Sequence, residues 1–562
     1  MMADGFDALF EAAKQQVGQQ AQPATPKADQ WPFVCLGYDR ERFYLYTTEG
    51  RQVLPMSAKD LTAHGMLLKL AKLRWWEGAF PGRESFNARQ AADEIIRACY
   101  RAGVYDPDRV RGRGVWMDDG RRVMHLGDHL LVEGEVTELT SIKSRWIYEQ
   151  SRPLAVKLGD PLTDEEGKRF LAMCRAVSWA DPNRDGSLFA GWLVSALIGG
   201  ALAWRPHLWL LAEGGSGKTW VHDNIIAPAL GALALVLQGK TTEAGVRGEL
   251  GTDARPVLFD EAETQSDKDR ERMQQVIDLA RQASSEHAGP IVKGTKEGGS
   301  RRFTIRSSFL FASINAGLTQ AADESRFITL TLANGDPDQF AALKRAHLEA
   351  MVPNVAGRLL ARALQLAPVI RANADRLAEA IARTGAGRRA GDTLGTLLAC
   401  QTALVDDREL TAEEAAKLVE GREWVRQAAA EARVAPEWQR ALLHLMQCEG
   451  MRRSTNGRTD ILTISELIGI CREGQGDVGL IEADQALRRL GMRVMDDNLM
   501  LGNRALGVAE RFRNTPWGAG WLATMARVPG ARRNLHVRFS PAYNDRSLSV
   551  PLASVMGAGE NG

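Results

Sequence analysis

Cysteine is scarce in this sequence. Six stand among 562 residues, at Cys35, Cys99, Cys174, Cys400, Cys448 and Cys471. No two form a C-x-x-C pair, which argues against a zinc ribbon. Scattered single thiols suit a reducing compartment, so the cytoplasm is the expected location. An excess of either charge is also missing, with 71 Lys and Arg against 70 Asp and Glu. That balance argues neither for nor against nucleic acid, because a narrow basic channel in a neutral particle sets its own local potential. The opening MMADGFDALFEAAKQQ carries acids and no basic n-region, so no secretory leader is expected. One run lacks charge altogether: GSLFAGWLVSALIGGALAW, Gly186 to Trp204. It is long enough to span a bilayer. Gly199-Gly200 inside it and no basic flank beyond Arg205 favour a buried helix under the strand that begins near His207, and no membrane is expected as a partner.

What is present is the profile of a soluble globular chain, 25% charged and 44% apolar. Its length calls for about three to four domains. Residues 1–30 read as a flexible segment, with VGQQAQPATPKADQ as a linker after a short amphipathic helix. Residues 31–150 read as an α+β accessory domain. WPFVCLGYDRERFYLYTTEGRQVLPM predicts a small antiparallel meander, helical patterns follow at Lys59–Arg74 and Phe86–Arg101, and GVWMDDGRRVMHLGDHLLVEG predicts a hairpin turning at Asp119-Gly120. In 151–335, helices precede strands that alternate with helices from His207 to about Leu332, the pattern of a mostly parallel α/β sheet. Residues 336–435 have the spacing of a helical domain. Residues 436–562 read as winged-helix-like, with helices from Ser465 and over Glu482–Leu490, then a hairpin in RVMDDNLML with an Asp-Asn turn. No internal repeat is visible.

HLWLLAEGGSGKTW, His207 to Trp220, nearly spells the phosphate-cradling motif G-x-x-x-x-G-K-[ST], with Ala212 at its first position. The apolar run predicts a buried strand, EGGSG a turn and KTWVHDNIIAPAL a helix. Around a phosphate, Gly214, Gly215, Ser216 and Gly217 turn backbone N–H groups inward, because side chains there would collide with the ligand. Lys218 would reach the β- and γ-phosphates of ATP, and Thr219 would hold Mg²⁺. Ala212, at the strand end and away from the phosphates, needs only to be small. RPVLFDEAE then predicts a second strand ending in two acids, Asp260 beside the metal and Glu261 as the base that polarises the attacking water. FLFASIN predicts a third strand, with Asn315 at its tip to orient that water. Eleven residues on, in ADESRFITL, Arg326 stands in a polar turn before another apolar strand. Each piece alone is common, and Arg326 could be a solvated turn residue. Four in order, each at a strand end, point to a working ATP site.

The set LLAEGGSGKT, VLFDEAE, FASIN and SRF resembles the AAA+ P-loop ATPases, most closely the superfamily-3 helicases of viruses, phages and plasmids, which include the poxvirus-type primase-helicases. It covers residues 190–332, and RGRGVW and HLGDHLLVEG resemble more loosely the domain preceding the ATPase in the phage and plasmid members. The resemblance implies an AAA+ core carrying Lys218 and Thr219 on phosphate and metal, Asp260 and Glu261 as the second acidic motif, Asn315 as sensor and Arg326 as a finger reaching a neighbouring subunit's γ-phosphate. That last role implies a ring, a homo-hexamer. Ala212 departs from the pattern. So does the lack of a zinc cluster or paired strand aspartates: Asp106 and Asp108 in VYDPD read as a turn around Pro107, leaving priming to a separate primase or polymerase.

Between the acidic strand and the sensor strand, GPIVKGTKEGGSRRFTIR predicts a β-hairpin, with Ile291 and Val292 on one arm, Phe303 and Ile305 on the other and Gly298-Gly299 between. It carries Lys293, Lys296, Arg301 and Arg302 against Glu297. The named helicases insert a hairpin here, its basic tip facing the channel. A basic tip can hold a phosphate of single-stranded DNA, Lys296 first and Lys293 next, although a solvated surface hairpin has the same composition. Arg488, Arg489 and Arg493 lie on or beside the second terminal helix, which could enter a major groove or face solvent. Arg109, Arg111 and Arg113 form a cluster or a carboxylate network. His125 and His129 fall on an alternating strand, against a metal role. Trp75-Trp76 read as core. Two functions follow. The first is an ATP-dependent ring helicase or translocase, hydrolysing ATP to ADP and phosphate, acting on single-stranded DNA and forked duplex in phage or mobile-element replication. The second is an ATP-gated DNA-binding or partner-loading module that does not unwind.

Overall fold

The computed structural model describes residues 31–260, 266–294, 300–314, 323, 326–425, 427, 436–455, 458–474 and 478–556. The expected N-terminal helix and linker lie outside them. The chain divides into two compact units, Met1–Ala432 and Arg433–Gly562.

The first unit opens with an antiparallel meander, Phe33–Asp39, Arg42–Thr47 and Val53–Ser57. Phe33, Leu45 and Met56 alternate into a core closed by Trp76, Phe80 and Ile95 of the helices that follow. Trp76 is fully buried and donates its indole N–H to the carbonyls of Leu67 and Ala71, so this tryptophan is a core residue. The continuous helix expected over Lys59–Arg74 is instead two single turns, Ala58–Leu61 and His64–Leu67, and a helix starting at Leu73. Gly65, a poor helix former, sits in the second turn, and the separate turns still bury Leu61, Leu67 and Leu70. The helix expected from Phe86 runs Ala88–Ala102 under an Asn87 cap. A second antiparallel sheet follows, Gly114–Asp118, Arg121–His125, Leu130–Val132 and Glu135–Thr137. Asp119 and Gly120 turn its first hairpin with φ of 49° and 81°, the left-handed pair a tight two-residue turn needs. His125 is buried on its strand and His129 contacts Asp128; no metal-binding group of three occurs among the described residues.

The centre of the unit is a five-stranded parallel sheet. In chain order its region contains β1 (His207–Ala212), β2 (Leu235–Gln238), β3 (Val257–Asp260), β4 (Ile291–Gly294), β5 (Ser300–Phe303), β6 (Phe309–Ser313) and β7 (Phe327–Leu332). The sheet order is β2-β3-β6-β1-β7, all parallel. β4 and β5 form a separate antiparallel hairpin. The uncharged run becomes helix Asp185–Leu197, buried at every position, followed by the short turn Gly199–Ala201. Its Gly191 lies so close to Leu397 of helix Arg388–Thr402 that a Cβ would come within 2.2 Å of the Leu397 carbonyl oxygen. This is protein packing on all sides, and among the described residues no helix is long and apolar enough to cross a membrane. Helices Pro337–Ala350, Val355–Gln365, Ala367–Arg383 and Arg388–Thr402 share one continuous hydrophobic core with the sheet.

The second unit holds helix Glu437–Gln447, hairpin Glu449–Thr455 with Arg458–Thr463, helices Ile464–Glu473 and Leu480–Arg489, and a four-stranded antiparallel sheet. The first of the two expected helices starts one residue early, at Ile464, because Thr463 and Glu466 form a capping box. The hairpin Met492–Met495 to Asn498–Gly502 turns on Asp496-Asp497, with φ of 46° and 57°, not on an Asp-Asn pair; Asn498 is already paired with Met495. Two long strands, Arg532–Ser540 and Tyr543–Pro551, complete the sheet beyond what the sequence pattern predicts. Arg488 is tied to Asp484 at 2.7 Å, and Arg493 donates to the Arg538 carbonyl.

Candidate functional site

β1 lies between β6 and β7 and is buried along nearly its whole length, as a central parallel strand should be. Three polar contacts hold its position. Trp209 donates its indole N–H to Ser313 Oγ of β6 at 2.8 Å. The Phe309 amide donates to His207 Nδ1 at 3.1 Å, which leaves the proton on Nε2 to donate to Ser284 Oγ at 2.9 Å. Burial pushes the His207 pKa down to about 3, so the ring is neutral at pH 7.

Past Ala212 the chain leaves the sheet. Ala212 is 3% exposed and pairs with Leu332. Its side chain therefore packs in the strand, which is why a small residue other than glycine serves there. The turn that follows is closed by Ser216, whose amide and hydroxyl both donate to the Glu213 carbonyl, at 3.1 and 2.8 Å. Gly215 and Gly217 have φ of 90° and 88°, the left-handed conformation that aims successive amides to one side. Among the described residues, a Cβ built on Gly214, Gly215 or Gly217 would meet nothing within 4 Å. Helix Lys218–Val221 starts immediately and continues through Leu230, with no side-chain cap at Gly217.

β3 delivers Asp260 at its carboxyl end. The Lys218 ammonium lies 3.7 Å from Asp260 Oδ1, with the side chains 25% and 49% exposed. Thr219 is exposed on the first helical turn. A cation and a carboxylate thus converge beside an amide-lined turn, with a hydroxyl on the adjoining turn. An anionic phosphate group suits the turn and Lys218, and the oxygen donors of Thr219 and Asp260 suit a hard divalent cation such as Mg²⁺. Glu261 follows β3 and Asn315 follows β6 by two residues; both lie outside the described residues.

Arg326 is at the other end of the sheet. Its carbonyl accepts from the His207 amide at 3.2 Å, and β7 then pairs with β1 from Phe327 opposite His207 to Leu332 opposite Ala212. Six residues of extended strand separate Arg326 from the end of β1, roughly 20 Å at about 3.3 Å per residue. Asp323 and Arg326 are also less exposed than their polar sequence predicts. Buried Asp323 accepts from Gln274 and Arg281 of helix Asp267–Ala283, at 3.1 and 3.3 Å. Arg326 is half-buried; desolvation first, then Arg389 and Arg281, lower its pKa, with Asp323 opposing them. Asp323 escaped sequence reasoning because a single acid in a polar stretch carries no pattern.

The basic hairpin forms in the expected place, with Ile291 opposite Phe303, Val292 opposite Arg302 and Lys293 opposite Arg301. Ile305 lies beyond the strand and is buried. Lys293 is exposed. Arg301 is on β5, but its side chain lies outside the described residues, as does all of Lys296. Arg302 reaches back to Asp108 at 3.6 Å, and Phe303 carries the Arg247 guanidinium 4.2 Å from its ring centre. Asp106 and Asp108 belong to a short turn around Pro107, as expected: Asp106 caps the Asp108 amide. In the arginine cluster, Arg113 is the network member. It binds Asp253 through Nη2 at 2.6 Å, Nε at 2.8 Å and its backbone amide at 2.7 Å.

No family model matches the chain, and no curated protein matches it. Among solved structures it is similar to one described as "SCCmec type IV Cch - active helicase", with 12% identity, 94% of this chain and 95% of that chain covered, and a TM-score of 0.44. It is also similar to the A form apo structure of the NrS-1 C terminal region, with 11% identity, 77% and 96% covered, and a TM-score of 0.26. A second apo structure of that region has 12% identity, the same coverage and a TM-score of 0.25. With TM-scores below 0.5, these likenesses leave the chain's chemistry to be read from its own residues.

Proposed function

We propose that this chain is an ATP-dependent DNA translocase of the ring-helicase kind, acting in phage or mobile-element replication, which splits ATP at the seam between neighbouring copies. One observation carries the reading. Lys218 and Asp260 meet at 3.7 Å at the carboxyl end of the parallel sheet, while Arg326 stands at the amino end of the adjacent strand. An arginine so far from its own glycine turn is suited to the nucleotide of the next copy and not to its own.

In this mechanism the amides of Gly214 to Gly217 hold phosphate oxygens, and Lys218 holds the β- and γ-phosphates. Thr219 and Asp260 would hold Mg²⁺, which when bound neutralises charge on the phosphates. Glu261 accepts the proton of a water whose oxygen attacks the γ-phosphorus as the bond to ADP breaks, and Asn315 orients that water. Arg326 of the neighbouring copy stabilises the charge gathering on the transferred group. The hairpin, through Lys293, Lys296, Arg301 and Arg302, couples the nucleotide state to a strand of DNA.

The test measures phosphate release with Mg²⁺ and ATP, with and without single-stranded DNA, and strand displacement on a forked duplex. DNA-stimulated hydrolysis with displacement is expected. Equal rates with and without DNA would overturn the translocase reading. ATP-dependent binding that leaves the fork intact would favour a loading or remodelling module.

A further inference from the structure

A cleft of about 530 Å³ opens between segment 106–146 and the parallel-sheet region, lined by five arginines and three carboxylates. The carboxylates are largely engaged. Asp108 faces Arg302 at 3.6 Å, Glu286 faces Arg371 at 3.1 Å, and Asp106 caps an amide. Arg111 and Arg306 are held at the cleft by neutral groups. Arg111 stacks its guanidinium 3.9 Å from the Trp146 ring centre and donates to the Met117 carbonyl at 3.0 Å. Arg145 lies 5.0 Å from the same ring, and its one carboxylate contact among the described residues is with exposed Asp119 at 4.0 Å. Arg306 donates to the Ser285 carbonyl at 2.8 Å. Arg109 is exposed, with no carboxylate within 4.0 Å among the described residues. The Trp146 indole N–H is buried and has no acceptor among the described residues. Burial and the nearby Arg111 charge both lower the pKa of Arg306, against attraction from Glu286 and Asp108. Among the described lining residues the five arginines outnumber the three carboxylates, so the site carries an excess of positive charge beside the Trp146 ring.

We propose that this cleft seats the phosphodiester backbone of single-stranded DNA. Its cations come from three separated stretches of chain, 109–111, 145 and 302–306, which spreads them along a path and suits a polyanion better than one free phosphate. Arg302 belongs to hairpin β4–β5, so a strand in the cleft runs onto the hairpin. Trp146 orders Arg111 and Arg145 by cation–π contact. The inference rests on the reading that the chain acts on DNA, and it adds a second contact surface away from the hairpin tip.

The test is fluorescence anisotropy of a labelled oligo-dT of roughly twenty nucleotides, spanning more than one site of the usual size, with the full chain and the exposed double variant Arg109→Ala/Arg145→Ala. The variant is expected to bind on the order of tenfold more weakly, and its slope of log K against log salt should shrink by about 1.4, at about 0.7 for each single-strand phosphate that the two arginines no longer neutralise. Its melting temperature and DNA-free ATPase rate should stay unchanged, and Arg109→Lys/Arg145→Lys should recover most of the slope. Equal affinity and slope in wild type and the Ala variant would remove the cleft from the DNA path while leaving the helicase reading intact. Failure of the wild type to bind at all would overturn both. Equal weakening on a blunt duplex would overturn the single-strand assignment.

Discussion

If Arg326 acts on a neighbour's nucleotide, two inactive variants should rescue each other. The geometry sets the expectation. Arg326 precedes β7, whose six residues pair in register with β1 up to Ala212, so it is roughly 20 Å from its own glycine turn. An arginine side chain extends about 7 Å, two residues of extended backbone, and cannot close that gap. Lys218→Ala should abolish hydrolysis by removing the phosphate contact, and Arg326→Ala should lower it by about 10³ or more, the usual worth of an arginine finger. In a mixture of equal parts, an interface is intact when the turn comes from the Arg326→Ala copy and the arginine from the Lys218→Ala copy. With random assembly about one interface in four meets that condition, so the mixture should recover up to about a quarter of wild-type ATPase. Phosphate release is measured after the two proteins are mixed, dissociated at low concentration and reassembled with single-stranded DNA. A mixture that stays as inactive as its components, beside a wild-type control that survives the same treatment, would refute the assignment, and so would full activity in Arg326→Ala alone.

Two predictions concern the scaffold. Asp253 is 5% exposed and takes two hydrogen bonds and an ion contact from Arg113, with Arg255 at 3.9 Å. Asp253→Ala leaves two guanidiniums poorly compensated and should cost about 3–5 kcal/mol in urea unfolding; a loss below about 1 kcal/mol would show that water reaches the pair. His207 carries a folded pKa of about 3, below its ordinary value of about 6.5. Its contribution is therefore complete above pH 6.5 and lost as pH falls toward 3, at about 1.4 kcal/mol per pH unit. Urea midpoints at pH 7 and pH 5 should differ accordingly, by more than in His207→Gln, and identical pH dependence in the two proteins would sink the argument.

The local features were legible because they depend on near neighbours in the chain. Alternation in FVCLGYDRERFYLYT specified the meander, Asp119-Gly120 its turn chemistry in the next sheet, and GGSGKT a left-handed glycine turn running into a helix. The helix start carrying Lys218 and the strand end carrying Asp260 were legible for the same reason. Where propensity was spread thin, over Lys59–Arg74, tertiary burial cut one predicted helix into pieces. Three facts needed the fold. The pairing of β1 with β7 put Arg326 at the opposite end of the sheet from Lys218, a distance that no spacing in sequence encodes. Asp323 found its partners Gln274 and Arg281 on a helix some fifty residues earlier in the chain. The arginines at 109–111, 145, 302 and 306 became one cleft only because segment 106–146 folds against the parallel-sheet region. Short-range backbone chemistry writes itself into residue order; electrostatic fields add up in space, over groups brought together from hundreds of residues apart.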